Sequence, residues 1–175
     1  MQSTNAIPNL AGTNACASFV FRKVARAVTR FYDLAFEKFG IRSTQFTILV
    51  GVAKTQPTSI GSLSELLLID PTTLTRTLQR LQKDGLIDIS ARSKMRQRFV
   101  TLTERGRQTL ARSLPLWRKA QKRFEQMVGQ ESWTEMRHEL EWLARATSKL
   151  ENSKERVLGN AKLESELLPN RLNET

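Results

Sequence analysis

Residues able to do covalent chemistry are scarce in this chain of 175 residues, and those able to hold nucleic acid are crowded into one stretch. There is one histidine, His138, and one cysteine, Cys16. No disulfide can form within a chain, and a zinc site would lack nitrogen and sulfur ligands. A Ser-His or Cys-His catalytic pair would have to use His138. No glycine-rich phosphate loop, paired acidic motif or metal-ligand spacing occurs. No cofactor is expected, and an enzyme is the weaker functional class. Cations are the abundant resource. From Pro71 to Arg112 there are ten: Arg76, Arg80, Lys83, Arg92, Lys94, Arg96, Arg98, Arg105, Arg107 and Arg112. The anions there are Asp84, Asp88 and Glu104. That window therefore carries +7 of the whole chain's +11. A charge kept for solubility has no reason to cluster so, whereas nucleic acid attracts such a patch.

The densest part of the cluster opens on Asp70-Pro71-Thr72-Thr73. Asp is a strong helix N-cap, and proline at the first helical position loses nothing by lacking an N–H. The helix is expected to run to Asp84 and to be closed by Gly85. At about 100° per residue, Leu74, Leu78 and Leu81 fall on one face. Thr72, Arg76, Gln79 and Lys83 fall on the other, flanked by Thr73, Thr75 and Arg80. One side is a core stripe and the other offers only donors and cations. Arginine can bond guanine bidentately, glutamine can bond adenine, and threonine can touch phosphate or a thymine methyl. The plainer reading is a solvated amphipathic helix, and the surrounding charge weighs against it.

The neighbouring elements must hold that helix. Residues 1–14 are polar with Pro8 and Gly12 and read as a flexible arm. Val20, Val24, Ala27, Val28, Phe31 and Ala35 recur at helical steps, so a long helix is expected from about Cys16 to Phe39, ended by Gly40. A second is expected over Thr44–Lys54, followed by a loop over residues 55–59. A short helix over Ile60–Leu67 precedes the turn into the donor-rich helix. Residues 86–90 and 98–103 alternate apolar and polar as half-buried strands do, and the basic segment 91–97 reads as the hairpin tip between them. Two long helices then follow. One carries Leu110, Leu114, Trp117, Phe124 and Val128, with a bend expected at Pro115. The other carries Trp133, Met136, Leu140, Leu143, Thr147 and Leu150, a narrow stripe suited to packing on another helix, here a subunit seam. The tail over 151–175 is polar. With 39% hydrophobic and 26% charged residues the chain is a folded, soluble one. It shows no leader pattern or apolar run of membrane length, so the cytoplasm is the expected compartment.

Helix, turn, helix and two-stranded hairpin make a winged helix-turn-helix, mostly α with a small β wing. The wing arginines Arg92, Arg96 and Arg98, with Lys94, are placed to reach phosphates or a narrow minor groove. In this order the pieces resemble the MarR family over roughly residues 16–150. RSTQFTILVGVA (42–53) is similar to the family's second helix. LSELLLIDPTTLTRTLQRLQKDGLI (63–87) is similar to its helix-turn-helix, and FVTLTERGR (99–107) to its second wing strand and next helix. The resemblance implies one domain over 15–150, with a DNA-binding core at about 42–112. It implies a homodimer joined by helices at about 15–39 and 104–150, on a pseudo-palindromic duplex operator. It further implies a small effector, often phenolic or otherwise lipophilic, that binds between the dimer helices and the reading head and relieves repression.

Three features depart from the family pattern. The wing's usual Asp-X-Arg is Lys94-Met95-Arg96, the turn position often held by glycine is Leu68, and Cys16 lies two residues before the place of a peroxide-sensing cysteine, which would be Ser18. The tyrosine partners of that cysteine would fall at Arg22 and Arg30, so Cys16 is read as a helix-start residue. A sequence-blind architectural DNA binder remains a rival to a sequence-specific regulator, and shares its charge.

Overall fold

A computed structural model describes residues 12–91 and 98–152. The helices are α1 (Ala17–Phe36), α2 (Ser43–Thr55), α3 (Ile60–Leu67), α4 (Pro71–Lys83), α5 (Glu104–Val128) and α6 (Gln130–Asn152). The strands are β1 (Thr58–Ser59), β2 (Ile87–Ala91) and β3 (Arg98–Leu102). The chain forms two compact units that divide inside α5, between Gln121 and Lys122.

The first unit contains the winged helix-turn-helix. Its core joins Phe36 of α1, Ile48, Leu49 and Val52 of α2, Leu63 of α3, and the Leu74, Leu78 and Leu81 stripe of α4. Ile87, Val100 and Leu102 of the sheet close it. The three leucines of α4 have no exposed surface. Burying a side chain of that size stabilises by about 1.5–3 kcal/mol, which fixes α4 with its opposite face outward. Phe46 of α2 carries the core outward, its ring 5.0 Å from that of Phe36 and 6.3 Å from that of Trp117 on α5. Tyr32 of α1 donates a hydrogen bond to Gln121 of α5.

The sheet differs from the expected two-stranded hairpin. Thr58 and Ser59, expected in a loop, pair antiparallel with Val100 and Phe99, so the strand order is β1-β3-β2. Two residues are too few to show alternation, and only the partner strand defines β1. The Gln56 side-chain carbonyl continues the ladder by accepting from the Leu102 N–H at 2.9 Å. Pairing of Ile87 with Leu102 and Ile89 with Val100 puts the apolar residues of β2 and β3 side by side. The hairpin tip at 92–97 lies outside the described residues.

α1 ends at Phe36 rather than Phe39. A 3₁₀ turn covers Glu37–Phe39, and Gly40 then takes a left-handed conformation (φ 75°). Asp33 ties this exit to α2. Its carboxylate accepts from the Ser43 N–H at 2.7 Å and from Arg42 at 3.4 Å. Burial alone would raise the Asp33 pKa, but the Ser43 and Arg42 hydrogen bonds and the Arg42 charge hold it below the ordinary 3.8. The tail from residue 153 and the arm before residue 12 also lie outside the described residues. In the second unit the Phe124 and Trp133 rings meet edge to face at 5.1 Å, where α5 turns into α6.

Candidate nucleic-acid interface

The site is built on α4, and its sequence sets both ends. Asp70 caps the N-terminus: one carboxylate oxygen accepts from the Thr72 and Thr73 N–H groups, each at 3.0 Å. Pro71 occupies the first helical position. At the other end Gly85 (φ 70°) donates to the Gln82 carbonyl and Leu86 donates to the Leu81 carbonyl, both at 2.9 Å. That pair of bonds is the Schellman closure, which a left-handed glycine permits. The turn before α4 hangs on Leu68, a left-handed residue with φ 50°. A β-carbon is unfavourable in that conformation, which is why glycine suits this position.

Thr72, Thr73, Arg76, Gln79 and Arg80 are exposed along one side of α4, and Thr75 is half-buried beside them. Arg76, Gln79 and Arg80 make no ion pair or hydrogen bond with the described residues. The Thr75 hydroxyl donates back to the Pro71 carbonyl at 2.7 Å and keeps its lone pairs for an outside donor. Lys83 shares this face but is the last helical residue. It lines a cleft with α5, eleven residues from Thr72, which is about 16 Å along the axis. Arg98 is exposed at the start of β3. Arg92, Lys94 and Arg96 lie outside the described residues. Arg107, one of the clustered cations, is held within the fold. It forms hydrogen bonds with Glu104 at 2.8 and 3.0 Å and with the Leu102 carbonyl at 3.0 Å. The Arg107 and Gln108 bonds keep the Glu104 carboxyl below its ordinary pKa.

Removing the Asp70 cap tests how far the helix end depends on it. Asp70→Ala is expected to cost about 1 kcal/mol of stability, and Asp70→Asn much less, because asparagine also caps. Equal denaturant midpoints for Asp70→Ala and the parent would show that the two N–H groups do not need the carboxylate.

The remaining chemistry-bearing residues are dispersed. Cys16 is an exposed free thiol preceding α1. His138 is exposed on α6 beside Arg137. Among the described residues no group of His, Cys, Asp and Glu could hold a metal, and no helix is long and apolar enough to cross a membrane.

Comparison with known proteins agrees with this geometry. The MarR family profile matches residues 41–94, from the start of α2 into the wing. The fold matches the Mycobacterium tuberculosis transcriptional regulator MosR, solved in complex with DNA, with TM-score 0.70 and 30% identity over 77% of this chain and 97% of that one. It matches AbsC, a MarR-family regulator from Streptomyces coelicolor, with TM-score 0.67 and 22% identity over 82% and 99% of the two chains. The repressor CouR, bound to a 23-mer DNA duplex, matches with TM-score 0.68 and 18% identity over 79% and 99%. CouR has also been solved with p-coumaroyl-CoA. No curated protein matches the sequence. These relatives are transcription regulators, and the chain, a winged helix-turn-helix protein, belongs to the MarR family of DNA-binding transcription regulators.

Proposed function

We propose that this chain is a homodimeric, sequence-specific duplex-DNA-binding repressor, without enzymatic activity, whose hold on its operator is relieved by a small ligand. The observation that carries the reading is the outer face of α4. It has the uncommitted side chains of Arg76, Gln79 and Arg80, with Thr72, Thr73 and Thr75 at the capped end, fixed by a fully buried leucine stripe. A major groove admits such a helix and offers acceptors and donors that these side chains match. The DNA complex of MosR supports the placement. The bound p-coumaroyl-CoA in CouR supports control by a small ligand. A regulator acting on chromosomal DNA works in the cytoplasm.

The dimer reading is supported by apolar surface left exposed among the described residues. On α1, Phe19, Val20, Phe21 and Val24 are exposed. On α6, Met136, Leu140 and Trp142 are exposed. Two copies on one duplex put the half-sites about one helical turn apart. Light scattering and a DNA titration test this assembly. Two chains per particle in solution and two per pseudo-palindromic duplex are expected, and a monomer that binds specific DNA at micromolar concentration would contradict it.

The wing supplies the sequence-independent part. Arg92, Lys94, Arg96 and Arg98 form a run of like charges that duplex phosphates neutralise. Lys94→Ala is expected to lower the slope of log affinity against log salt by about 1. Arg96→Ala is expected to weaken binding more, because a guanidinium suits minor-groove insertion better than an ammonium. Superimposable salt slopes for the parent and both variants would mean that the wing does not touch DNA.

A further inference from the structure

The far end of α4 opens onto a cleft of about 750 Å³. Its walls are the connection from α1 to α2, the end of α4 and the first turns of α5. Four cations face it from three of these elements: Lys38, Lys83, Arg105 and Arg112. One carboxylate, Asp84, also lines it. None of the four cations is ion-paired with a described residue. The two α5 guanidiniums among them, Arg105 and Arg112, are exposed and not neutralised by a described residue. Arg112 lies over the Phe39 ring, 5.3 Å from its centre. Arg105 lies along the bare backbone of Gly85, where an added β-carbon would stand 3.8 Å from its terminal nitrogen.

Lys83 can be explained as a cation that complements the C-terminal end of a helix. Lys38, in the last turn of the 3₁₀ segment that ends α1, yields to the same explanation, but Arg105 and Arg112 stand in the first turns of α5 and do not. Arg105 and Arg112 are seven residues apart on α5, two turns and about 10 Å along one face. An anion with two separated charged groups can engage both without drawing the two side chains together. From this arrangement we infer that the cleft is a binding site for a small organic polyanion with at least two separated phosphate or carboxylate groups. Its volume lies within the range of small-molecule sites, about 300–1,000 Å³. The lining is wrong for a lipophilic phenol, whose site would be mostly apolar. DNA backbone is a poorer occupant, because the cleft is concave and lies at the end of α4 opposite the Asp70 cap.

The binding does not depend on α4 reading DNA, and it is measured without DNA. Full-length protein is titrated calorimetrically with tripolyphosphate, citrate and monophosphate at one low ionic strength. Saturable binding of one tripolyphosphate or citrate per chain is expected, with monophosphate at least tenfold weaker. Preference for tripolyphosphate assigns phosphate groups to the ligand, and preference for citrate assigns carboxylates. Arg105→Ala and Arg112→Ala should each weaken the tighter probe at least tenfold, whereas Arg76→Ala, on the outer face of α4, should change it less than twofold. The parent's thermal midpoint should rise with the probe, and those of the two cleft variants should not. Equal binding by the parent and the cleft variants, or loss only with Arg76→Ala, would overturn the inference. So would cleft variants that bind the probe normally but bind DNA with a shallower salt slope, since the cations would then be DNA contacts.

Discussion

Arg76→Ala is expected to weaken binding to the specific operator by about 1–3 kcal/mol, on the order of 5- to 150-fold, and to relax preference at one base position in each half-site. Arg76 stands at the middle of the exposed face of α4, opposite the buried Leu74 and Leu78. No described carboxylate holds its guanidinium, so nothing must be broken before it bonds a base. A guanidinium meets the O6 and N7 of guanine with two parallel hydrogen bonds, which lysine cannot reproduce. The effect should therefore depend on sequence: large on the operator and small on random duplex. Arg76→Lys should recover general affinity but not the base preference. Binding by competition against single-base operator variants measures this. Equal loss on every duplex would assign Arg76 to phosphate and pass base reading to Gln79 or Thr73.

Gly106→Ala is expected to be the most damaging glycine-to-alanine change among the described residues, and it lies outside the DNA-reading face. Gly106 is buried at the start of α5. A β-carbon there would overlap the Leu86 carbonyl oxygen and stand 2.9 Å from the Leu86 carbonyl carbon. The obstacle is backbone, and that backbone is already held. The Leu86 N–H closes α4 on Leu81, and the Leu86 carbonyl accepts from Thr103 at 3.2 Å. The Thr103 hydroxyl meanwhile donates to the Gly85 carbonyl at 2.7 Å and accepts from the Gly106 N–H at 2.9 Å. Relief would separate α5 from the turn that ends α4. Overpacking costs about 1–3 kcal/mol even where side chains can yield, so a loss at or above the top of that range is expected. For a chain of this size that is a fall in thermal midpoint on the order of 10 °C. A midpoint within 2 °C of the parent would show that the backbone at Leu86 yields to the added methyl without separating α5 from the end of α4. Arg105→Ala, next in sequence but exposed, is the control and should shift the midpoint little.

The parts legible in the sequence are those set by local rules. Asp70-Pro71 starts α4 and Gly85 ends it, because capping chemistry acts within a few residues. The α4 leucine stripe shows its buried face through a period of 3.6, and the exposed donors follow by subtraction. The turn at Leu68 comes from the family resemblance and not from a local signal, and its left-handed conformation accounts for the family's glycine there. What stayed hidden depends on partners distant in the chain. Thr58 and Ser59 become a strand only beside Val100 and Phe99. Gly106 looks like an ordinary glycine in a helix until Leu86 is placed over it. Lys38 lies far from the basic stretch at 71–112, and only folding sets it facing Lys83, Arg105 and Arg112. Arg107 counts toward the basic cluster in sequence, yet the fold spends it on Glu104 and a backbone carbonyl.

Sequence-specific reading by α4 is the central claim, and a ratio tests it more directly than any single affinity. The operator would be found by selecting bound duplexes from a random pool. Affinity for that duplex and for a scrambled duplex of equal length would then be measured at one fixed, near-physiological salt concentration. A repressor with the uncommitted donor face of α4 should bind the selected duplex at least about 10³-fold tighter than the scrambled one. The selected sequence should be a pseudo-palindrome. If the pool yields no consensus and the two affinities agree within a few-fold, the basic charge alone does the binding, and the protein is a sequence-blind architectural DNA binder.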